Sequence, residues 1–189
     1  MKYKLSSNLK QHKEFISLLQ KRIATLSVGA STARNMGKKG LVDRARKYLE
    51  RLNLKQLSKI KSEEEFKNYL DEKIKELENE IKLYIKEGGK PFGPARKFLN
   101  IFLREVLYNR FMCAEYNLFH LEKWLEIPLD SYVVSSLKEK NKGLPEWSGV
   151  IHLTKEKNEI YQNFAKELAE EKYKTFRVHL DLMYWRETK

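Results

Sequence analysis

The sequence predicts an all-α protein folded as a single-domain helical bundle. Three observations carry that expectation. Long charged segments place their apolar residues at helical rather than alternating spacing. Only 4 Pro and 8 Gly interrupt the chain. Its 189 residues suffice for one core of ordinary size and do not require a second domain, so one domain is expected over 1–189.

Taken in order, the periodicity places helices over about 8–26, 39–52, 63–87, 94–116, 118–125, 131–140 and 155–173. Between the first two lies SVGASTARNMGKKG, a glycine- and hydroxyl-containing connector in which Arg34, Lys38 and Lys39 have the chemistry to touch a phosphate. The third helix has the clearest pattern. Ser62 can cap it, acids fill its first turn, and Phe66, Leu70, Ile74, Leu77, Ile81 and Ile85 form one stripe before Gly88 and Gly89. Such a stripe is a core face first and a partner-binding coiled coil second. The final stretch FRVHLDLMYWRE fits both periods, but no second strand is available to pair with it, so a helix is expected. On that helix Asp181 and Trp185 lie one turn apart on one face.

Charge bounds the partners. Lys and Arg number 38 against 26 Asp and Glu, a formal net charge of +12, which makes a polyanion the default partner, although solvated helix faces also absorb many lysines. The single cysteine, Cys113, excludes an internal disulfide and any metal site built from several thiolates, and suits a reducing cytoplasm. No apolar run approaches bilayer length and the N-terminal residues have no signal-type apolar segment, so no membrane association is expected.

Two segments carry chemistry. In KPFGPARKFLN, Pro94 suits the first turn of a helix and Gly93 permits close approach just before it. The amides that follow, with Arg96, form a candidate anion site, and Arg104 one helix face further on is a second candidate. Lys97, near the start of a largely apolar helix, suits either a phosphate contact or a partly desolvated nucleophile. In IPLDSYV, Asp130 follows an apolar run at a helix start, where it can serve as cap or as the acid of an active site.

Together these segments resemble the helix-hairpin-helix DNA glycosylase superfamily. PFGPARKFLN is similar to the hairpin written LPGVGRKTAN, sharing its first glycine, the Arg-Lys pair and the Asn three residues after the lysine, and IPLDSYV is similar to VPVDTHV. Ala95 stands at the second hairpin glycine and Tyr132 where histidine is usual. The 33 positions from Lys97 to Asp130, with the Asp181 and Trp185 pair, are closest to the archaeal 8-oxoguanine DNA glycosylases. The resemblance implies a hairpin element over about 81–113, Lys97 as the amine nucleophile and Asp130 as its carboxylate. It implies a base pocket of Asp181, Trp185, Tyr132 and Trp124, with Gly93, Ala95, Arg96, Arg104, Arg34, Lys38 and Lys39 against DNA. The implied protein is a monomeric, cofactor-free and metal-free base-excision enzyme. It would act on double-stranded DNA carrying an oxidised or otherwise modified base, 8-oxoguanine first among them. Two rivals accompany it: a non-catalytic basic helical module that holds DNA or RNA, and an interaction protein exposing the 63–87 stripe. His179 is expected to be a satisfied or surface histidine.

Overall fold

A computed structural model describes the backbone of residues 9–187 and the side chains of residues 10–184. The chain is all-α, with helices α1 (Leu9–Ser27), α2 (Leu41–Arg51), α3 (Glu63–Ile81), α4 (Phe92–Tyr108), α5 (Arg110–Tyr116), α6 (Ser131–Lys140), α7 (Lys155–Leu168) and α8 (Leu180–Glu187). No helix among the described residues is long and apolar enough to cross a membrane.

Two apolar cores organise the bundle. Helices α1 to α5 pack around the larger one, and α6 to α8 around a smaller one containing Ile127, Leu129, Val133, Leu137, Tyr161 and Tyr184. Phe92 and Trp147 pack against both and join them.

Helix α3 forms where its caps predict. Ser62 Oγ accepts the Glu65 N–H at 3.1 Å, and three glutamates face the positive end of the helix. Phe66, Leu70, Ile74, Leu77 and Ile81 are buried, so the stripe is core and is not exposed for a partner. The helix ends at Ile81, earlier than the expected residue 87, and continues as a 3-10 turn over Lys82–Tyr84. The reason is pairing with the first connector. The Lys38 N–H donates to the Tyr84 carbonyl at 2.9 Å and the Lys86 N–H to the Met36 carbonyl at 3.0 Å. Gly37 permits this approach, because a Cβ there would collide with the Tyr84 carbonyl oxygen.

The expected helix over 94–116 is two helices. Asn109 leaves the helical conformation and its Oδ1 accepts the Phe111 and Met112 N–H groups, both at 3.1 Å, which ends α4 and caps α5. The expected helix over 118–125 is only a 3-10 turn, Phe119–Leu121, followed by a buried stretch without helical structure that leads to Asp130. Helix α7 is capped by Thr154 and widens at its end into a π turn over Ala169–Tyr173. The closing segment is helical, and Leu180 and Tyr184, four apart, are both fully buried.

Candidate active site

Helix α4 and the start of α6 bring Lys97 and Asp130 together. Lys97 sits in the second turn of α4, its side chain only 9% exposed, and its Nζ lies 3.3 Å from Asp130 Oδ2. The amine also donates to the Thr32 carbonyl at 3.4 Å. Asp130 caps α6: its Oδ1 accepts the Tyr132 N–H at 3.1 Å and the Val133 N–H at 3.0 Å. Capping therefore uses one carboxylate oxygen and leaves the other for the lysine. Ile127 and Leu129, on either side of Pro128, are buried in the smaller core, which explains the apolar run ahead of the acid.

The pair stands where two arms of one cleft meet. One arm, about 400 Å³, runs between Ser27 and Leu26 of α1, Ile101, Arg104 and Glu105 of α4, and Asp181 and Leu182 of α8. The other, about 540 Å³, passes Arg34, Lys86, Tyr132 and residues 148–152. Both arms are lined by Ser31, Thr32, Lys97 and Asp130, and both have the size of small-molecule sites. Exposed Leu26 and Leu182 flank the first arm, while its polar wall is an ion cluster in which Arg104 pairs with Asp181 and, at 2.8 Å, with Glu105.

The expected site residues divide accordingly. Lys97, Asp130, Asp181, Tyr132, Arg104 and Arg34 all line the cleft. Tyr132 donates through its hydroxyl to the Tyr184 carbonyl at 3.1 Å. The side chain of Trp185 lies outside the described residues. Lys38 and Lys39 are exposed on the connector beside the cleft without lining it. Arg104, expected at a phosphate, is instead held inside the cleft by its two carboxylates. Lys86 also lines the cleft; the sequence offered no signal for it while residue 86 was taken as helical interior.

Four expectations are corrected. The anion cradle at the start of α4 is closed, because the turn at residues 150–152 lies on it and a Cβ at Gly93 would strike the Val150 carbonyl oxygen. Gly93 and Ala95 are buried, and the Ala95 N–H is used by the Pro91 carbonyl. Arg96 is buried as well, its guanidinium forked onto Glu126 at 2.8 and 2.6 Å and reaching Asp71 at 3.1 Å. Trp124 belongs to the larger core rather than to the cleft wall. His179 is satisfied, lying 2.7 Å from the Tyr108 hydroxyl and 3.0 Å from Glu122.

The Arg96 network has a clear electrostatic sign. Burial alone would raise the Glu126 carboxyl, but the Arg96 guanidinium, with help from Arg177 and a hydrogen bond from Asn100, overrides burial and holds it below the usual carboxylate range. Asp71 is likewise held low, its burial outweighed by hydrogen bonds and charge from Lys155 and Arg96. Among the described residues no group of three or more His, Cys, Asp and Glu side chains is arranged to hold a metal ion.

Fold and site thus define an all-α bundle with a lysine-aspartate pair at the floor of a two-armed cleft. Comparison with family models, curated proteins and solved structures finds no match to the chain.

Proposed function

We propose that the protein is a DNA glycosylase with strand-cleaving lyase activity, acting in base-excision repair on an oxidised or otherwise modified base. The observation that carries this reading is the 3.3 Å separation of Lys97 Nζ and Asp130 Oδ2 in a shared cleft. An amine beside a carboxylate at a helix start suits displacement at a sugar C1′, where positive charge develops as the base leaves.

In the proposed reaction Asp130 accepts a proton from the Lys97 ammonium. The nitrogen lone pair then forms the bond to C1′ as the glycosidic bond breaks, and the bonding electrons leave with the base, which takes a proton from solvent. Opening of the sugar ring yields a Schiff base, and loss of a C2′ proton expels the 3′ phosphate. Water finally releases the lysine. The target base must leave the helical stack to reach Lys97, and the α1, α4 and α8 arm offers it apolar faces from Leu26 and Leu182 with a polar edge from Arg104, Glu105 and Asp181. The other arm, with Arg34 and Lys86, suits the sugar-phosphate chain.

Borohydride trapping on duplexes carrying different modified bases, 8-oxoguanine first, tests the reading. A covalent adduct with one of them, abolished in Lys97→Gln, is the expected result. No adduct and no released base with any substrate would defeat it. Base release that persists in Lys97→Gln while strand cleavage stops would restrict the enzyme to hydrolysis.

A further inference from the structure

The segment that delivers Asp130 is buried, extended and without a neighbouring strand, so its peptide groups need partners from elsewhere. Side chains supply them. Gln162 of α7, itself buried, accepts the Ile127 N–H at 3.1 Å and donates to the Ile127 carbonyl at 2.8 Å, engaging both peptide groups of one residue as an adjacent strand would. Arg177, in the turn before α8, donates from Nη2 to the Trp124 carbonyl at 2.9 Å and from Nε to the Leu125 carbonyl at 3.1 Å. Its remaining nitrogen reaches the Gln162 carbonyl at 3.4 Å, which ties the two grips together.

We propose that Gln162 and Arg177 are positioning residues, whose clasp on residues 124–127 sets where the Asp130 carboxylate stands against Lys97. The proposal rests on the reading of Lys97 and Asp130 as the reacting pair. Every residue from 124 to 127 is held: two through their carbonyls, Glu126 through Arg96 and Asn100, and Ile127 through both peptide groups. Pro128 then fixes its own φ, and Leu129 is anchored in the smaller core. Little freedom remains between clasp and carboxylate. Arg177 is a buried guanidinium whose hydrogen bonds among the described residues all go to carbonyls, an arrangement with a desolvation cost that apolar packing would avoid. Neither side chain lines the cleft, so neither acts on substrate directly.

Gln162→Leu keeps the volume and removes both hydrogen bonds. Amide hydrogen exchange reads the clasp without any substrate: exchange at Ile127, Tyr132 and Val133 is expected to quicken about tenfold or more while Leu70 and Ile74 of α3 stay unchanged. Single-turnover adduct formation is expected to fall about 100-fold, since small misplacements of a reacting group cost that much, with duplex affinity within about twofold of wild type. Adduct formation at the wild-type rate, or affinity falling in step with it, overturns the proposal. If the wild-type protein acts on no duplex, the glycosylase reading fails, and exchange alone decides the clasp: unchanged rates at Tyr132 and Val133 overturn it. Should Gln162→Leu not fold, Arg177→Lys, which keeps the charge and loses the fork, is judged by the same measurements.

Discussion

Lys97 and Asp130 belong to different cores, and their 3.3 Å contact is made across the junction between them. The carboxylate divides its work, with Oδ1 on the first amides of α6 and Oδ2 on the amine. Two variants separate these roles. Asp130→Asn keeps a competent cap and is expected to unfold within a few tenths of a kcal/mol of wild type, whereas Asp130→Ala loses about 1 kcal/mol. Both are expected to lower adduct formation about 100-fold or more, because each removes the charge facing the sugar. Urea unfolding and single-turnover trapping on the same preparations check this; activity retained in Asp130→Asn would reduce the residue to a cap.

Arg96 stands next to Lys97 in sequence and points the opposite way, into a buried ion network with Glu126 and Asp71. Removing one partner strands the other. Glu126→Ala or Arg96→Ala is expected to cost about 3–5 kcal/mol, while the paired replacement Arg96→Met with Glu126→Leu is expected to recover most of that loss. Denaturant midpoints of the singles and the double, arranged as a cycle, measure the coupling.

The same network sets an acid limit. Glu126 and Asp71 are held below their ordinary values, so the folded state binds fewer protons there than the unfolded chain. Their contribution is complete above the unfolded carboxylate range of about 4 and is lost as pH falls through the depressed folded values. Stability is therefore expected to be level from neutral pH down to about 5 and to drop steeply below about 4. Unfolding midpoints across that window test it, and the Arg96→Met, Glu126→Leu double variant is expected to show a shallower drop.

What was legible in the sequence was local. The Phe66 to Ile81 stripe, the Ser62 cap and the Asp130 cap depend on residues within a turn or two of one another, and all three stand in the structure. What was not legible depends on distant partners. Residues 122–125 carry a helical pattern, but Arg177 and Gln162 take up the backbone groups of 124, 125 and 127 from more than 30 positions away. The open cradle at Gly93 looked complete until residues 150–152, remote in sequence, covered it. Arg104 suited a phosphate as an isolated cation, and only the folding of α8 against α4 pairs it with Asp181. Lys86 emerged at the cleft for the converse reason, because pairing of residues 84–86 with 36–38 ended α3 early.

The cations that remain for DNA are therefore those at the open arm and on the bridged loops. Arg34 and Lys86 line that arm, while Lys38 and Lys39 are exposed beside it. If the sugar-phosphate chain lies there, Arg34→Gln and Lys86→Gln should each weaken binding to damaged and undamaged duplexes alike, and each should reduce the slope of log affinity against log salt by about 1. Arg104→Gln is expected to behave differently. Its guanidinium is engaged by Asp181 and Glu105 inside the other arm, so the salt slope should stay unchanged while the preference among modified bases shifts. Anisotropy titrations over a salt series, paired with base-release assays on the same duplexes, distinguish the two classes. Equal slopes in wild type, Arg34→Gln and Lys86→Gln would remove the backbone from this arm.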